Sequence, residues 1–124
     1  MKMRVLVVDD SPTARAHITD ALSAEYDVIQ ANDGATGFDL AVLRRPKAAI
    51  IDLEMPVMDG VTLLEKLKAD PATKDIPVII VTTSTEVERT NRCRALGCAG
   101  FVLKPVDANY ISVKLKRLLS APKT

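Results

Sequence analysis

The chain has 124 residues, of which 48% are hydrophobic, and this size provides one continuous core but no room for a second domain. Its 17 basic and 16 acidic residues give a formal net charge of +1, so no global field favours nucleic acid, an acidic substrate or a membrane surface. The apolar run from Val5 to Val8 is too short for a signal peptide or a membrane span, which predicts a cytoplasmic protein without a membrane partner.

Short runs rich in β-branched residues alternate with amphipathic stretches five times along the chain. These runs are nearly continuous in apolar residues, which is typical of strands buried on both faces of a parallel sheet. With 3% aromatic residues and no Trp, the core has to consist of Val, Ile, Leu and Ala. The predicted strands are Arg4–Val8, Tyr26–Gln30, Ala48–Ile51, Val78–Val81 and Gly100–Leu103.

The stretches between the predicted strands have the apolar spacing of α-helices. The first helix has the clearest start, because Ser11 suits the N-cap and Pro12 suits the first helical position. The fourth helix is the weakest, because its inner face would consist of Val87, Cys93, Leu96 and the polar Thr90; we expect it to be the loosest. The predicted helices are Pro12–Leu22, Ala35–Leu43, Val61–Lys68, Glu86–Leu96 and Asn109–Leu119.

This alternation predicts an α/β fold, with a doubly wound five-stranded parallel sheet and helices on both faces. Right-handed crossovers favour the flavodoxin-like strand order 2-1-3-4-5. We predict one domain over residues 1–120 and a short C-terminal tail over residues 121–124. In such a sheet a ligand binds beyond the carboxyl ends of the strands, near the switch point between the first and third strands.

Polar side chains stand at the carboxyl ends of four predicted strands. Asp9 and Asp10 follow the first strand and Asp52 follows the third, so three carboxylates should meet at one edge of the sheet. Three such groups repel one another unless a cation neutralises them. Oxygen ligands suit Mg²⁺, or alternatively Mn²⁺, and the absence of His or Cys at these positions counts against zinc.

The same edge carries groups suited to phosphoryl chemistry. A carboxylate such as Asp52 can attack phosphorus and carry an aspartyl phosphate. Thr82 follows the fourth strand and could donate to a phosphoryl oxygen, while Lys104 follows the fifth and could neutralise another. Each residue alone has an ordinary structural explanation, such as a helix N-terminal charge or a solvated strand end. Their convergence on one edge favours the functional interpretation.

Several separated motifs resemble receiver domains of response regulators in two-component signalling, chemotaxis regulators among them. The resemblance runs from Arg4 to Leu119 and involves separate elements that match in order. The matching segments are Val7-Val8-Asp9-Asp10, Ile51-Asp52-Leu53-Glu54-Met55-Pro56-Val57-Met58-Asp59-Gly60, Val81-Thr82 and Lys104-Pro105.

The resemblance implies a role for each residue of the acidic edge. Asp52 matches the phosphoacceptor, which also contacts the metal. Asp10 matches a direct metal ligand, and Asp9 an acid that acts through a metal-bound water. The backbone carbonyl of Glu54 matches the third protein ligand of the metal.

Residues at the ends of the last two strands match the family's switch. Thr82 and Lys104 match the phosphoryl-binding pair, and the Lys104–Pro105 bond is usually cis in this family. Phe101 matches an aromatic switch position, where a side chain with two rotamers would supply the element that phosphorylation biases.

One residue departs from the family's usual pattern, and two others occupy positions that vary within the family. Thr83 occupies a place often held by Ala or Gly, so its branched side chain is expected to narrow access to Asp52. Glu54 and Ser84 fill variable positions on the route of the attacking water. The family therefore does not fix the lifetime of the phosphorylated state.

The resemblance implies a phosphorylation-activated switch that takes a phosphoryl group from a histidine kinase or histidine phosphotransfer protein. Its output would be a contact with a downstream protein or a second copy of the receiver, through the fourth helix, fifth strand and fifth helix, and not with nucleic acid. It would modify itself without turning over another substrate, so it would not be an enzyme. Two alternatives to this interpretation are a pseudo-receiver scaffold that binds partners without phosphorylation, and an aspartate-based, Mg²⁺-dependent phosphohydrolase. The pseudo-receiver is disfavoured because no pocket residue is missing. The phosphohydrolase would need Asp-x-Asp after the first strand and a cap insertion, and the sequence has neither.

Overall fold

A computed structural model describes residues 2–83 and 85–120 of the chain. The predicted tail over residues 121–124 lies outside this range, as does Ser84. The strands are β1 Met3–Val8, β2 Tyr26–Ala31, β3 Ala48–Asp52, β4 Val78–Thr82 and β5 Gly100–Leu103. The helices are α1 Pro12–Leu22, α2 Gly34–Arg44, α3 Gly60–Ala69, α4 Val87–Ala95 and α5 Ala108–Ser120. Across the described ranges, none of these helices combines the length and the apolar character needed to cross a bilayer.

The five strands form one parallel sheet in the order β2-β1-β3-β4-β5, which confirms the predicted fold. The sheet extends slightly further toward the carboxyl edge than the sequence predicts. Asp52 and Thr82 are the last residues of β3 and β4, because the hydrogen-bond ladder continues past the apolar runs. The amide of Leu53, for example, donates to the carbonyl of Val81 at 2.9 Å. Two polar site residues are thus part of the rigid sheet.

Alternation along the strands divides the core into two layers. Leu6 and Val8 of β1 face the layer covered by α2, α3 and α4, whereas Val5 and Val7 face the layer covered by α1 and α5. All four side chains are fully buried. The buried strands give the carboxyl edge a fixed platform, since closely packed cores resist displacement.

Helix α4 is attached more weakly than its neighbours. Of its residues, all of which the structure describes, only Cys93 is buried, and burial raises the pKa of that thiol to about 11. The prediction that Val87 faces inward is wrong, because its side chain is 62% exposed. Instead, Arg89 of α4 reaches Asp59 at the start of α3 through an ion pair of 3.1 Å. A helix with so little apolar burial can shift at low cost.

The start of α3 fits closely beneath the end of β3. A Cβ atom added at Gly60 would lie 2.7 Å from the carbonyl oxygen of Asp52 and 2.8 Å from the Cα of Leu53. Both are backbone atoms and cannot rotate away. We therefore expect Gly60→Ala to lower the free energy of unfolding by about 1–3 kcal/mol in a urea titration, as overpacking does. An unchanged unfolding midpoint would show that the loop can shift without penalty.

Candidate functional site

The three predicted carboxylates meet at the carboxyl edge of the sheet. Asp9 and Asp10 directly follow β1, and Asp52 ends the neighbouring strand β3. Each offers an oxygen, and these oxygens all lie within 4.8 Å of one another. Asp9 and Asp52 are buried, whereas Asp10 is exposed. The cluster therefore has two fixed inner groups and one that opens to solvent.

Burial and mutual repulsion disfavour the charged forms of the inner carboxylates. Burial raises the pKa of Asp9, although the amide of Ser11, which donates at 2.9 Å, opposes the rise. Burial also raises the pKa of Asp52, the charge of Asp9 adds to the increase, and Lys104 opposes it. The ammonium of Lys104, which lies close to Asp52, therefore does not offset the effects of burial and of the neighbouring carboxylate on its pKa.

The donor set of the cluster fits a hard divalent cation. All three groups offer carboxylate oxygens, which are the ligands that Mg²⁺ and Mn²⁺ prefer. A bound cation would relieve the repulsion that raises the pKa values of the two inner acids. The roles of Asp9 through water and of the Glu54 carbonyl as a ligand stay predictions, because no contact in the structure tests them.

Lys104 lies beside the proposed phosphoacceptor. It directly follows β5, and its amide donates to the carbonyl of Thr82 at 2.9 Å, which fixes it next to β4. Its ammonium Nζ lies 2.8 Å from Oδ1 of Asp52. The same Nζ lies 3.1 Å from Oε2 of Glu54. Lys104 is therefore a bridge between two acids, while its predicted contact with a phosphoryl oxygen stays a prediction.

Sequence reasoning placed Glu54 at a variable position on the route of the attacking water, but it missed the contacts that its side chain makes. Its Oε1 accepts from the amide of Thr83 at 3.2 Å and from the Thr83 hydroxyl at 3.3 Å. The hydroxyl of Thr82 lies 3.2 Å from the same oxygen. Partial burial would raise the pKa of Glu54, but the bonds from Thr83 and Lys104 outweigh it and lower the pKa. The signal in the sequence was an acid close after Asp52 and a second threonine after Thr82.

Of the two predicted switch residues, Thr82 lies in this pocket and Phe101 lies on the adjacent strand β5. Ser84, which was predicted on the route of the attacking water, lies outside the described residues. Phe101 is half-buried on β5 and packs against the core layer of α2, α3 and α4. The guanidinium of Arg94 on α4 stands 4.8 Å from the centre of its ring. The Lys104–Pro105 bond is cis, as predicted. The structure thus brings the switch aromatic into contact with α4.

Comparisons with known proteins agree with this geometry. A model of the response regulator receiver domain matches residues 5–116. Protein PilH of Pseudomonas aeruginosa is 32% identical over 118 residues, which make up 94% of this chain and 98% of PilH. The crystal structure of the chemotaxis protein CheY4 of Vibrio cholerae has a TM-score of 0.87 at 30% identity, covering 94% of this chain and 98% of CheY4.

The chain also spans less than half the length of several curated relatives. One of these is the response regulator PleD of Caulobacter vibrioides, to which it is 36% identical over 121 residues, or 26% of PleD. The sheet order and the acidic edge are those of a flavodoxin-like α/β domain with the receiver fold. The family match covers most of its length, so the chain belongs to the response regulator receiver domain family of two-component signalling.

Proposed function

We propose that this receiver domain is a phosphorylation-activated switch that accepts a phosphoryl group on Asp52 from a histidine kinase or a histidine phosphotransfer protein. The observation that carries the proposal is the position of Asp52. It is a buried carboxylate at the end of a rigid strand, with an ammonium 2.8 Å away and two further acids within cation-binding distance. Such a relay operates in the cytosol, which is the compartment we propose for this chain.

The proposed reaction moves one phosphoryl group between two side chains. An Asp52 carboxylate oxygen attacks phosphorus, the phosphorus–nitrogen bond of the donor phosphohistidine breaks, and its electron pair stays with the imidazole, which takes up a proton. A divalent cation held by Asp9, Asp10 and Asp52 would supply charge neutralisation in this transfer. Lys104 would neutralise one phosphoryl oxygen and Thr82 would donate to another. The chain modifies itself and turns over no other substrate.

Mass mapping tests this function directly. The chain is incubated with Mg²⁺ and either a phosphorylated kinase or a small phosphodonor, and the product is digested and its peptides are analysed. We expect one added phosphoryl group on the peptide that contains Asp52, stable in acid and labile in base. Phosphorylation confined to serine or threonine peptides would contradict the proposal.

We further propose that the output surface consists of α4, β5 and α5, with Arg89, Arg92, Phe101 and Lys114 as signal carriers. Thr82 is the last residue of β4, and Lys104 directly follows β5. A phosphoryl group on Asp52 that draws both side chains inward would therefore move the elements attached to them. Weakly buried α4 offers little resistance. The basic side chains would meet an acidic or mixed surface on a partner protein or on a second receiver.

Addition of beryllofluoride with Mg²⁺ should therefore change amide exchange and chemical shifts mainly between residues 83 and 114. The physical reason is that this range contains α4, β5 and the start of α5, which connect directly to the two phosphoryl-binding residues. Exchange in β1 should change least, because its central residues are fully buried. Changes concentrated in α2 with Phe101 unmoved would show that the output surface lies elsewhere.

A further inference from the structure

The carboxylate of Glu54 contacts both residues that are proposed to bind a phosphoryl group on Asp52, Lys104 and Thr82. Its Oε2 contacts the Lys104 ammonium at 3.1 Å. Its Oε1 accepts from the Thr83 amide at 3.2 Å and lies 3.2 Å from the Thr82 hydroxyl. An ammonium, an amide and a hydroxyl form a compact anion-binding set, and a carboxylate is an anion that such donors accept well.

The hydroxyl of Thr82 shows why these three donors can bind only one anion at a time. It has one hydrogen, and the structure places the Glu54 oxygen at 3.2 Å and the Thr83 carbonyl at 3.1 Å as candidate acceptors. A phosphoryl oxygen that takes this hydrogen must displace whichever acceptor holds it. Lys104 likewise already divides its ammonium between Asp52 and Glu54.

Charge strengthens the competition. Glu54 adds a fourth acid to a pocket that already holds three clustered carboxylates. The ammonium that it contacts, that of Lys104, is shared with Asp52. A phosphodonor brings further negative charge to the same place. Glu54 therefore opposes an incoming phosphoryl group by occupying its donors and by repelling it.

We propose that Glu54 is an internal competitor for the phosphoryl site, which its carboxylate occupies until phosphorylation displaces it. The proposal rests on the proposed phosphorylation of Asp52, and it names a residue that sets how readily that reaction proceeds. Thr83 is a positioning residue in this scheme, because its hydroxyl and amide both donate to the carboxylate. Its branched side chain thus restricts access to Asp52 through Glu54.

The scheme has a quantitative consequence. A site that is open in only a small fraction of molecules has its apparent affinity reduced by that fraction. Minor states of proteins commonly make up about 0.1–10% of the population, so removing the competitor should tighten phosphoryl-analogue binding by at least about tenfold. Phosphorylation by a small anionic donor should also be faster when the Glu54 carboxylate is removed.

The test is a titration of the full chain with beryllofluoride at fixed Mg²⁺, in which binding is measured from the changes in chemical shifts. Three variants separate the contributions to the competition. Glu54→Ala removes the carboxylate with its charge, whereas Glu54→Gln keeps the volume of the side chain without the charge. Thr83→Ala removes one hydroxyl that donates to Glu54 and leaves the net charge unchanged. Glu25→Gln is the control for net charge, because Glu25 lies just before β2 at the opposite edge of the sheet.

We expect the affinity to rise at least about tenfold in Glu54→Ala, less in Glu54→Gln and Thr83→Ala, and not at all in Glu25→Gln. Without beryllofluoride, the Thr83 amide should exchange faster in Glu54→Ala, because it loses its acceptor. Saturable binding to the wild type with unchanged or weaker affinity in both Glu54 variants would overturn the competitor and leave the proposed function intact. If neither the wild type nor any variant bound beryllofluoride, the proposed function itself would fail, and the competitor with it.

Discussion

Asp52→Asn should abolish phosphorylation and leave the fold intact. The amide keeps the volume of the carboxylate and can still accept a bond from Lys104, but it cannot act as the nucleophile toward phosphorus. Phosphoprotein should therefore be undetectable after incubation with a phosphodonor and Mg²⁺ under conditions that label the wild type. Asp20→Asn, on the exposed face of α1, is a matched control that should be labelled normally. Full labelling of Asp52→Asn at another residue would refute the assignment of the acceptor.

The same substitution should stabilise the chain in the absence of metal. Because the folded-state pKa of Asp52 is raised, the folded chain binds more protons than the unfolded chain between the ordinary carboxyl pKa and the raised one. Stability therefore falls as pH rises through that window and stays lower at neutral pH. Asp52→Asn removes this contribution, and Lys104 keeps its second partner Glu54, so we expect the free energy of unfolding of the variant at pH 7 to be slightly higher than that of the wild type. A lower melting temperature at pH 7 would contradict a crowded acidic pocket.

Mg²⁺ should stabilise the wild-type chain, and Asp10→Ala should lose most of that effect. A ligand that binds only the folded state adds about 2.7 kcal/mol when its free concentration is a hundred times its dissociation constant. For a domain of this size, that corresponds to a rise in melting temperature of roughly 5–15 °C. The measurement is a series of melting curves over a range of Mg²⁺ concentrations. An unchanged curve for the wild type would exclude a cation site at this edge.

Asp9→Ala provides the internal comparison for the metal. Its carboxylate is expected to reach the cation through water, so its removal should reduce the stabilisation by Mg²⁺ less than removal of Asp10 does. Equal losses in the two variants would require a different ligand scheme.

The fold could be predicted from the sequence because it depends on residue patterns that can be read along the chain. Runs of β-branched residues and helical apolar spacing located all five strands and all five helices, with differences of about a residue at their ends. The carboxyl ends of parallel strands share an edge, so the meeting of Asp9, Asp10 and Asp52 followed from topology alone.

The contacts that the sequence did not predict depend on side-chain torsions. Glu54 was expected to contribute a backbone carbonyl, yet its side chain turns back onto Thr83 and Lys104. That side-chain conformation depends on donors that directly follow two other strands, β4 and β5, and no periodic pattern in the sequence indicates it. Val87 was placed inward by helical spacing, but it is the first residue of α4 and is exposed, and among the described residues of that helix only Cys93 is buried.

Asp59 joins two helices, because Oδ1 accepts from the Thr62 amide at 3.0 Å in α3 while Oδ2 pairs with Arg89 at 3.1 Å. A second pair at the surface, Arg92 with Glu65 at 2.8 Å, lies along the same seam. Exposed pairs of this kind contribute about 0.2–1 kcal/mol each and weaken as mobile ions screen them, over a Debye length of about 8 Å at physiological salt. The position of α4 should therefore depend on ionic strength, whereas α1 and α5 pack through buried apolar side chains and should depend on it much less.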